Sequence, residues 1–403
     1  MPNGVMTGDG SVANPFVVMD GWDFNELRNI GANSWANIKH VVLGDDISLA
    51  MFPAFVPFPG TYLNINGDGH LITDINIVNA TGLFSTLYTD VTENLRIEGE
   101  LTHSTSSATG LLCGALNLRT NNSKLYNVQC FGELNVSLSG TGASSKVGGI
   151  AGQAYCSGSN NQMAYIEECA FFGSISISVT GSASTTNNEQ SRGVGGIIGY
   201  ADTYSYSAGI TITGCTTVAT FNINAGASIL YAAGILCAFR NASNSAKPIH
   251  LQKCLSKIKV QFTNTADATQ IVYLAGIAGF TMGGQSTVKE SCAHMDIIYD
   301  PPAKVPSLYI YGVFARGDTT STTNIITMNY AVISWQKPTD KALPDTLYMT
   351  VVSGTSIAAA TNSFYDSDVL AGGYNGVVDD AARGRTTAQL KNRAYLESQG
   401  WVF

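Results

Sequence analysis

A short phrase of glycine, an aliphatic residue, any residue and a small residue recurs seven times along this 403-residue chain. It runs as Gly82-Leu-Phe-Ser85, Gly110-Leu-Leu-Cys113, Gly149-Ile-Ala-Gly152 and Gly196-Ile-Ile-Gly199, and then as Gly234-Ile-Leu-Cys237, Gly276-Ile-Ala-Gly279 and Gly312-Val-Phe-Ala315. The intervals are 28, 39, 47, 38, 42 and 36 residues. A period of that length marks a supersecondary unit that buries its apolar face only by stacking on its neighbours.

A second series keeps step with the first. Cys130, Cys169, Cys215, Cys254 and Cys292 are separated by 39, 46, 39 and 38 residues, and follow the preceding motif glycine by 20, 20, 19, 20 and 16. After each cysteine comes period-two alternation, the pattern of a strand with one buried face. Leu134, Val136 and Leu138 form one such set, followed by Ile175, Ile177 and Val179, by Phe221 and Ile223, and by Ile258, Val260 and Phe262. Segments without apolar anchors, such as GSASTTNNEQSR, separate the copies and read as surface loops.

Each repeat is therefore expected to hold a Gly-rich strand, a Cys-bearing strand and an alternating strand, forming one coil of a parallel β-solenoid. The crossover rule makes it right-handed. Stacked coils place equivalent residues in columns. Gly149, Gly196, Gly234, Gly276 and Gly312 then serve close backbone approach, and the five cysteines act as small buried hydrophobes. Composition agrees: 45% of residues are hydrophobic and only 12% charged, with 42 glycines, which suits strands and turns better than surface helices.

The ends of a solenoid need covers. Residues 1–36 read as an N-terminal cap, with Phe24, Leu27 and Ile30 at helical spacing before Gly31. Residues 37–370 form the solenoid of about eight coils. Residues 371–403 read as a C-terminal cap with a short helix, a Gly400 stop, and Trp401 and Phe403 closing the end.

Several functional classes find little support. The net charge of −8, without a Lys/Arg cluster, argues against nucleic-acid binding. No apolar run is long enough to span a bilayer, and the opening MPNGVMTGDGS shows no secretory signal, so reduced thiols are expected. The eight cysteines form no C-x-x-C pair and no cluster with the five scattered histidines, and no metal or cofactor is expected. VGGIAGQA is not a phosphate loop, because Gln153 follows where Lys-Ser/Thr is required. Glycan cleavage needs two carboxylates facing one groove. Glu167 and Glu168 are adjacent and point to opposite faces, and Asp366 with Asp368 reads as a polar last coil. Arg316-Gly317-Asp318 reads as a turn, and the sequons at Asn79, Asn121, Asn135 and Asn241 matter only on a secretory route. The insertion YADTYSYSAG offers Tyr200, Tyr204 and Tyr206 as receptor contacts, and Gly181 to Arg192 forms the loop of the longest interval.

The repeated phrase, the opening GDGSVANPFVV…DFNELRNI and the closing RGRTTAQLKNRAYLESQGWVF resemble the β-helix family named for its Gly-Leu-any-Gly (GLUG) motif. That resemblance covers the chain from about Gly8 to Phe403. It implies a non-enzymatic, surface-presenting protein of a bacteriophage virion: a tail fibre, spike or head appendage that contacts other virion proteins and a host-surface glycan or protein. A trimer is the assembly common in such spikes. An adhesin of a bacterial surface is the alternative reading, and a polysaccharide depolymerase the second.

Overall fold

The motif glycines sit at corners. In the repeat beginning at Lys146, strand Lys146–Gly148 reaches a bend at Gly149-Ile150, and strand Ala151–Cys156 leaves it. Strand Met163–Glu167 follows, then a second bend at Glu168-Cys169, then strand Ala170–Thr180. The repeat thus holds four strands where the sequence pattern predicts three, because the Gly-rich stretch is two strands joined at a corner. The computed structural model describes residues 6–53, 55–104, 107–119, 121–139, 146–156, 162–180, 192–203, 208–225, 229–240, 248–263, 271–282, 285–300, 307–317, 323–336, 344, 346–350, 359–361, 363–367 and 384–399.

Each of the four strands pairs with its counterpart one repeat away, and the pairing is parallel in every ladder. In the order a repeat visits them, these are the first to fourth ladders. The first ladder is a separate 7-stranded sheet and the fourth an 11-stranded one. The second and third form one 18-stranded sheet, joined at strand Phe58–Asn66, which passes through both without a corner. The protein is mostly β with parallel sheets.

The fourth ladder carries the longest strands, and its register is unbroken from Gln129–Ser139 through Ala170–Thr180 and Thr216–Ala225 to Leu255–Phe262. The alternating residues named above from these four strands are all buried. Each large apolar side chain removed from water contributes about 1.5–3 kcal/mol, set against the entropy of ordering it.

Register explains the glycines. Gly149, Gly196, Gly234, Gly276 and Gly312 continue one column, each amide of the first four donating to the carbonyl before the next copy's motif glycine. A Cβ on Gly149 would collide with the Gly196 carbonyl and the Phe171 ring, and one on Gly234 with the Gly276 carbonyl and the Ser256 hydroxyl. The second copy is shifted by one residue: Gly110 pairs with Gly148, and Leu111 occupies the column. The small residue closing that motif is then Gly114, level with Gly152, while Cys113 faces the core.

The cysteine series divides in the same way. Cys169, Cys215 and Cys254 do share one buried column at the second corner. Cys130 instead pairs with Phe171, two positions along, and Cys292 with Leu255, one position along and half-buried. Those two are corrections to the expected column. Its true continuation is Ser291, Asn329 and Ser363, all buried. The position calls for a short donor: the Cys169 thiol donates to the Glu167 carbonyl (3.3 Å) and the Cys254 thiol to that of Gln252 (3.4 Å). The Ser291 hydroxyl likewise donates to the Lys289 carbonyl at 2.9 Å.

At the N-terminus, Asp20 caps helix α1, Gly21–Glu26, accepting from the Trp22 and Asp23 amides. A 3₁₀ turn at Leu27–Asn29 and a left-handed Gly31 (φ 70°) end it. Phe24 and Leu27 are 1% exposed, and Phe24 meets Phe58 edge to face at 5.2 Å, covering that end of the core. At the other end, Thr386 and Gln389 form a capping box on helix α2, Thr387–Leu390, and Asn392 caps helix α3, Arg393–Ser398. Gly400, Trp401 and Phe403 lie outside the described residues.

Candidate functional site

The outer face of the second ladder carries two parallel columns. One is Gly60, Thr86, Ala115, Gln153, Tyr200, Ala238 and Phe280; the other is Tyr62, Tyr88, Asn117, Tyr155, Asp202 and Arg240. What covers them changes along the molecule. From the repeat of Ile229–Ala233 onward the first ladder presents Tyr231 and Tyr273, which stack at 4.6 Å and pack with Tyr200, Ala238 and Phe280 in a second apolar cluster. Earlier strands of the first ladder present Lys146, Gly148, Gly193 and Gly195 at those positions, and they begin only at Thr109. Among the described residues, no first-ladder side chain covers the strip from Gly60 to Tyr155 as Tyr231 and Tyr273 cover its continuation, and Tyr62, Thr86, Tyr88, Ala115, Asn117, Gln153 and Tyr155 are all half-buried.

Aromatic rings gather at the open end of the strip. Tyr62 and Tyr88 stack at 4.2 Å with 7° between their planes, a direct result of in-register pairing. Trp35, from the 3₁₀ turn Trp35–Asn37, stands perpendicular to both at 5.4 and 5.8 Å, and so lies against the side of the stack. The exposed Arg119 guanidinium is 5.5 Å from the Trp35 ring centre. Burial pushes the Tyr88 phenol above its ordinary pKa, and Tyr62 adds to that shift.

At the far end the strip closes on charged groups. Arg240 holds Asp202 through two contacts, Nη2 to Oδ2 at 2.6 Å and Nε to Oδ1 at 3.3 Å. Lys146 is 7% exposed, and its ammonium sits 3.3 Å from the centre of the Tyr200 ring. Burial is the main reason its pKa falls to about 8, opposed by the Asp202 carboxylate.

Tyr200 is accordingly misplaced as a receptor contact. It belongs to strand Ile198–Asp202, is 2% exposed and packs beneath the first ladder. Tyr204 and Tyr206 lie outside the described residues, as does most of the loop between Gly181 and Arg192. Asp366 is buried and accepts from the Thr387 hydroxyl at 2.7 and 2.9 Å, while Asp368 lies outside the described residues. Among the described residues no cluster of His, Cys, Asp and Glu could hold a metal, and no helix is long and apolar enough to cross a membrane. The open strip escapes sequence reasoning because its residues come from five segments, and only the alternation of Tyr62 and Tyr88 within their strands hints at it.

No protein-family model matches the chain, and no curated protein matches it. Among solved structures it is similar to a Bacteroides ovatus protein described as a "putative immunoglobulin A1 protease", at 16% identity and a TM-score of 0.47, with 86% of each chain covered.

Proposed function

We propose that the chain is a right-handed parallel β-solenoid with a presenting rather than enzymatic role, and that its open aromatic strip binds an extended glycan at the surface of a bacteriophage virion. Four parallel ladders advancing one repeat at a time support the solenoid reading. The carrying observation for binding is the half-buried Trp35–Tyr62–Tyr88 cluster, with Asn117 and Tyr155 in register beyond it. Aromatic faces take the C–H side of sugar rings, and flanking amide and phenol groups take hydroxyls. Four coils about 4.8 Å apart make a linear track suited to a polymer.

Retention in gels containing bacterial surface polysaccharides tests this directly. At least one polysaccharide should retard the wild-type chain, and Trp35→Ala should lose at least about tenfold in affinity, or about 1.4 kcal/mol. Release of reducing ends by the purified protein would instead make it a depolymerase. Mass spectrometry of purified phage particles and of bacterial envelopes tests location: finding the chain only on an envelope replaces the virion reading with the adhesin one.

A further inference from the structure

Strand Phe58–Asn66 serves two ladders, so it links the strip to a second feature. It carries Tyr62 on the strip and then Asn64 and Asn66 on the outer face of the third ladder, beside His40 on one side and Glu93 on the other. Val12 and Pro15 from the N-terminal segment join these residues to line a groove of about 260 Å³. Pockets for drug-sized ligands begin at about 300 Å³, so this one suits a single ring.

Its polar groups divide into those already used and those available. Asn64 Oδ1 accepts from the Thr89 hydroxyl and from the Asp90 and Val91 amides at 2.8–3.2 Å, and is committed to the fold. Asn66 Oδ1 accepts from the Asp68 amide and from Asn94 Nδ2, which leaves the Asn66 amide hydrogens as donors. Glu93 Oε2 meets Lys124 Nζ at 3.1 Å, which fixes the carboxylate and leaves Oε1 as an acceptor. Burial lowers the His40 pKa, so the imidazole is neutral near pH 7, with one donor and one acceptor nitrogen. On the apolar side, the exposed Val12 and the half-buried Pro15 present hydrocarbon surface at the rim of the groove.

We propose that this groove binds one neutral hexopyranose ring, with adjacent hydroxyls shared between the Asn66 amide and the Glu93 carboxylate and a C–H face against Val12 and Pro15. A donor and an acceptor side by side match a vicinal diol, in which each hydroxyl both gives and accepts a hydrogen bond. Because the groove adjoins the strip through one strand, it would hold an end or branch unit of the chain lying on the strip; in that respect the inference rests on the glycan reading above.

Saturation-transfer NMR on the full chain tests it, with methyl α-D-glucopyranoside, methyl α-D-mannopyranoside and methyl β-D-galactopyranoside as probes and sorbitol as the acyclic control. At least one glycoside should receive saturation and sorbitol should not. Glu93→Gln and Val12→Asp should each weaken that glycoside by at least about tenfold. Val12 is so exposed that its variant should keep the wild-type melting curve, which separates lost binding from lost folding. No transfer to any glycoside, equal transfer to sorbitol, or binding that survives both substitutions would overturn the proposal. Polysaccharide retention without glycoside binding sinks the groove alone. Glycoside binding that persists while Trp35→Ala leaves polysaccharide retention unchanged sinks the strip alone.

Discussion

A single methyl group distinguishes the structural glycines from the permissive ones. Gly234→Ala would drive a Cβ into the Ser256 hydroxyl and the Gly276 carbonyl, an overpacking that should destabilise by about 1–3 kcal/mol. Gly60→Ala meets only a carbon of the Tyr88 ring, at an ordinary 3.4 Å, and should leave the denaturation midpoint nearly unchanged. The corner column makes a similar distinction by chemistry. Cys215→Ser keeps a short donor where Ser291 and Ser363 already stand, and should cost about 1 kcal/mol or less; Cys215→Val removes the donor and should cost more. The thiols also set an alkaline limit. Burial raises Cys292 to about 11 and Cys237 to about 12, against about 8.5 in an unfolded chain. Their contribution is complete below about pH 8.5 and is lost as pH rises through the folded values. Lys146 works in the opposite sense, since its folded pKa of about 8 lies below the ordinary 10.5. Wild type should therefore gain stability relative to Lys146→Met as pH rises from about 8 to 10.5, measured by urea titration at each pH.

At the scale of the element, the corner before the thiol column has a fixed backbone shape. Asn94, Asn127, Glu168, Lys253, Glu290 and Met328 all occupy it with φ between 49° and 55°, and Gly214 takes the same place at 65°. Asparagine tolerates that region, while lysine and methionine have no local hydrogen bond to offset its cost. Lys253 is exposed, so Lys253→Asn should stabilise by about 0.5–1 kcal/mol and Lys253→Val should destabilise by at least as much, read from the denaturation midpoint. These corners also show what the sequence could and could not reveal. Alternation and the buried face were legible because each is a spacing within one strand, as with Ile175, Ile177 and Val179, and the period was legible because the corner glycine recurs once per repeat. Register was less legible, because a corner can absorb one residue without disturbing the pattern. Gly110 and Cys292 kept approximate spacing while standing one position off their columns, and Cys130 stood two off. Ser291, Asn329 and Ser363 share the thiols' role but not their side chain, so counting cysteines misses them. The strip was hidden for a different reason: whether Tyr88 is half-buried or, like Tyr200, fully buried depends on side chains of another ladder.

Over the whole molecule, each repeat pairs with the repeats before and after it, so its stability rests mainly on those two neighbours. The N-terminal helix also supports the candidate site, because Phe24 packs on Phe58 in the strand that carries Tyr62 of the strip and Asn66 of the groove. Phe24→Ala should cost about 3–5 kcal/mol locally and increase amide exchange in residues 58–66 before the later coils respond. The glycan track proposed above runs across successive repeats. Its most direct test is affinity against chain length, using fragments of a polysaccharide that retains the protein. Affinity should climb with each added sugar until the glycan spans the strands from Tyr62 to Tyr155, then level off, and Trp35→Ala should flatten the climb. Affinity that is independent of length, or unchanged by Trp35→Ala, would contradict the account.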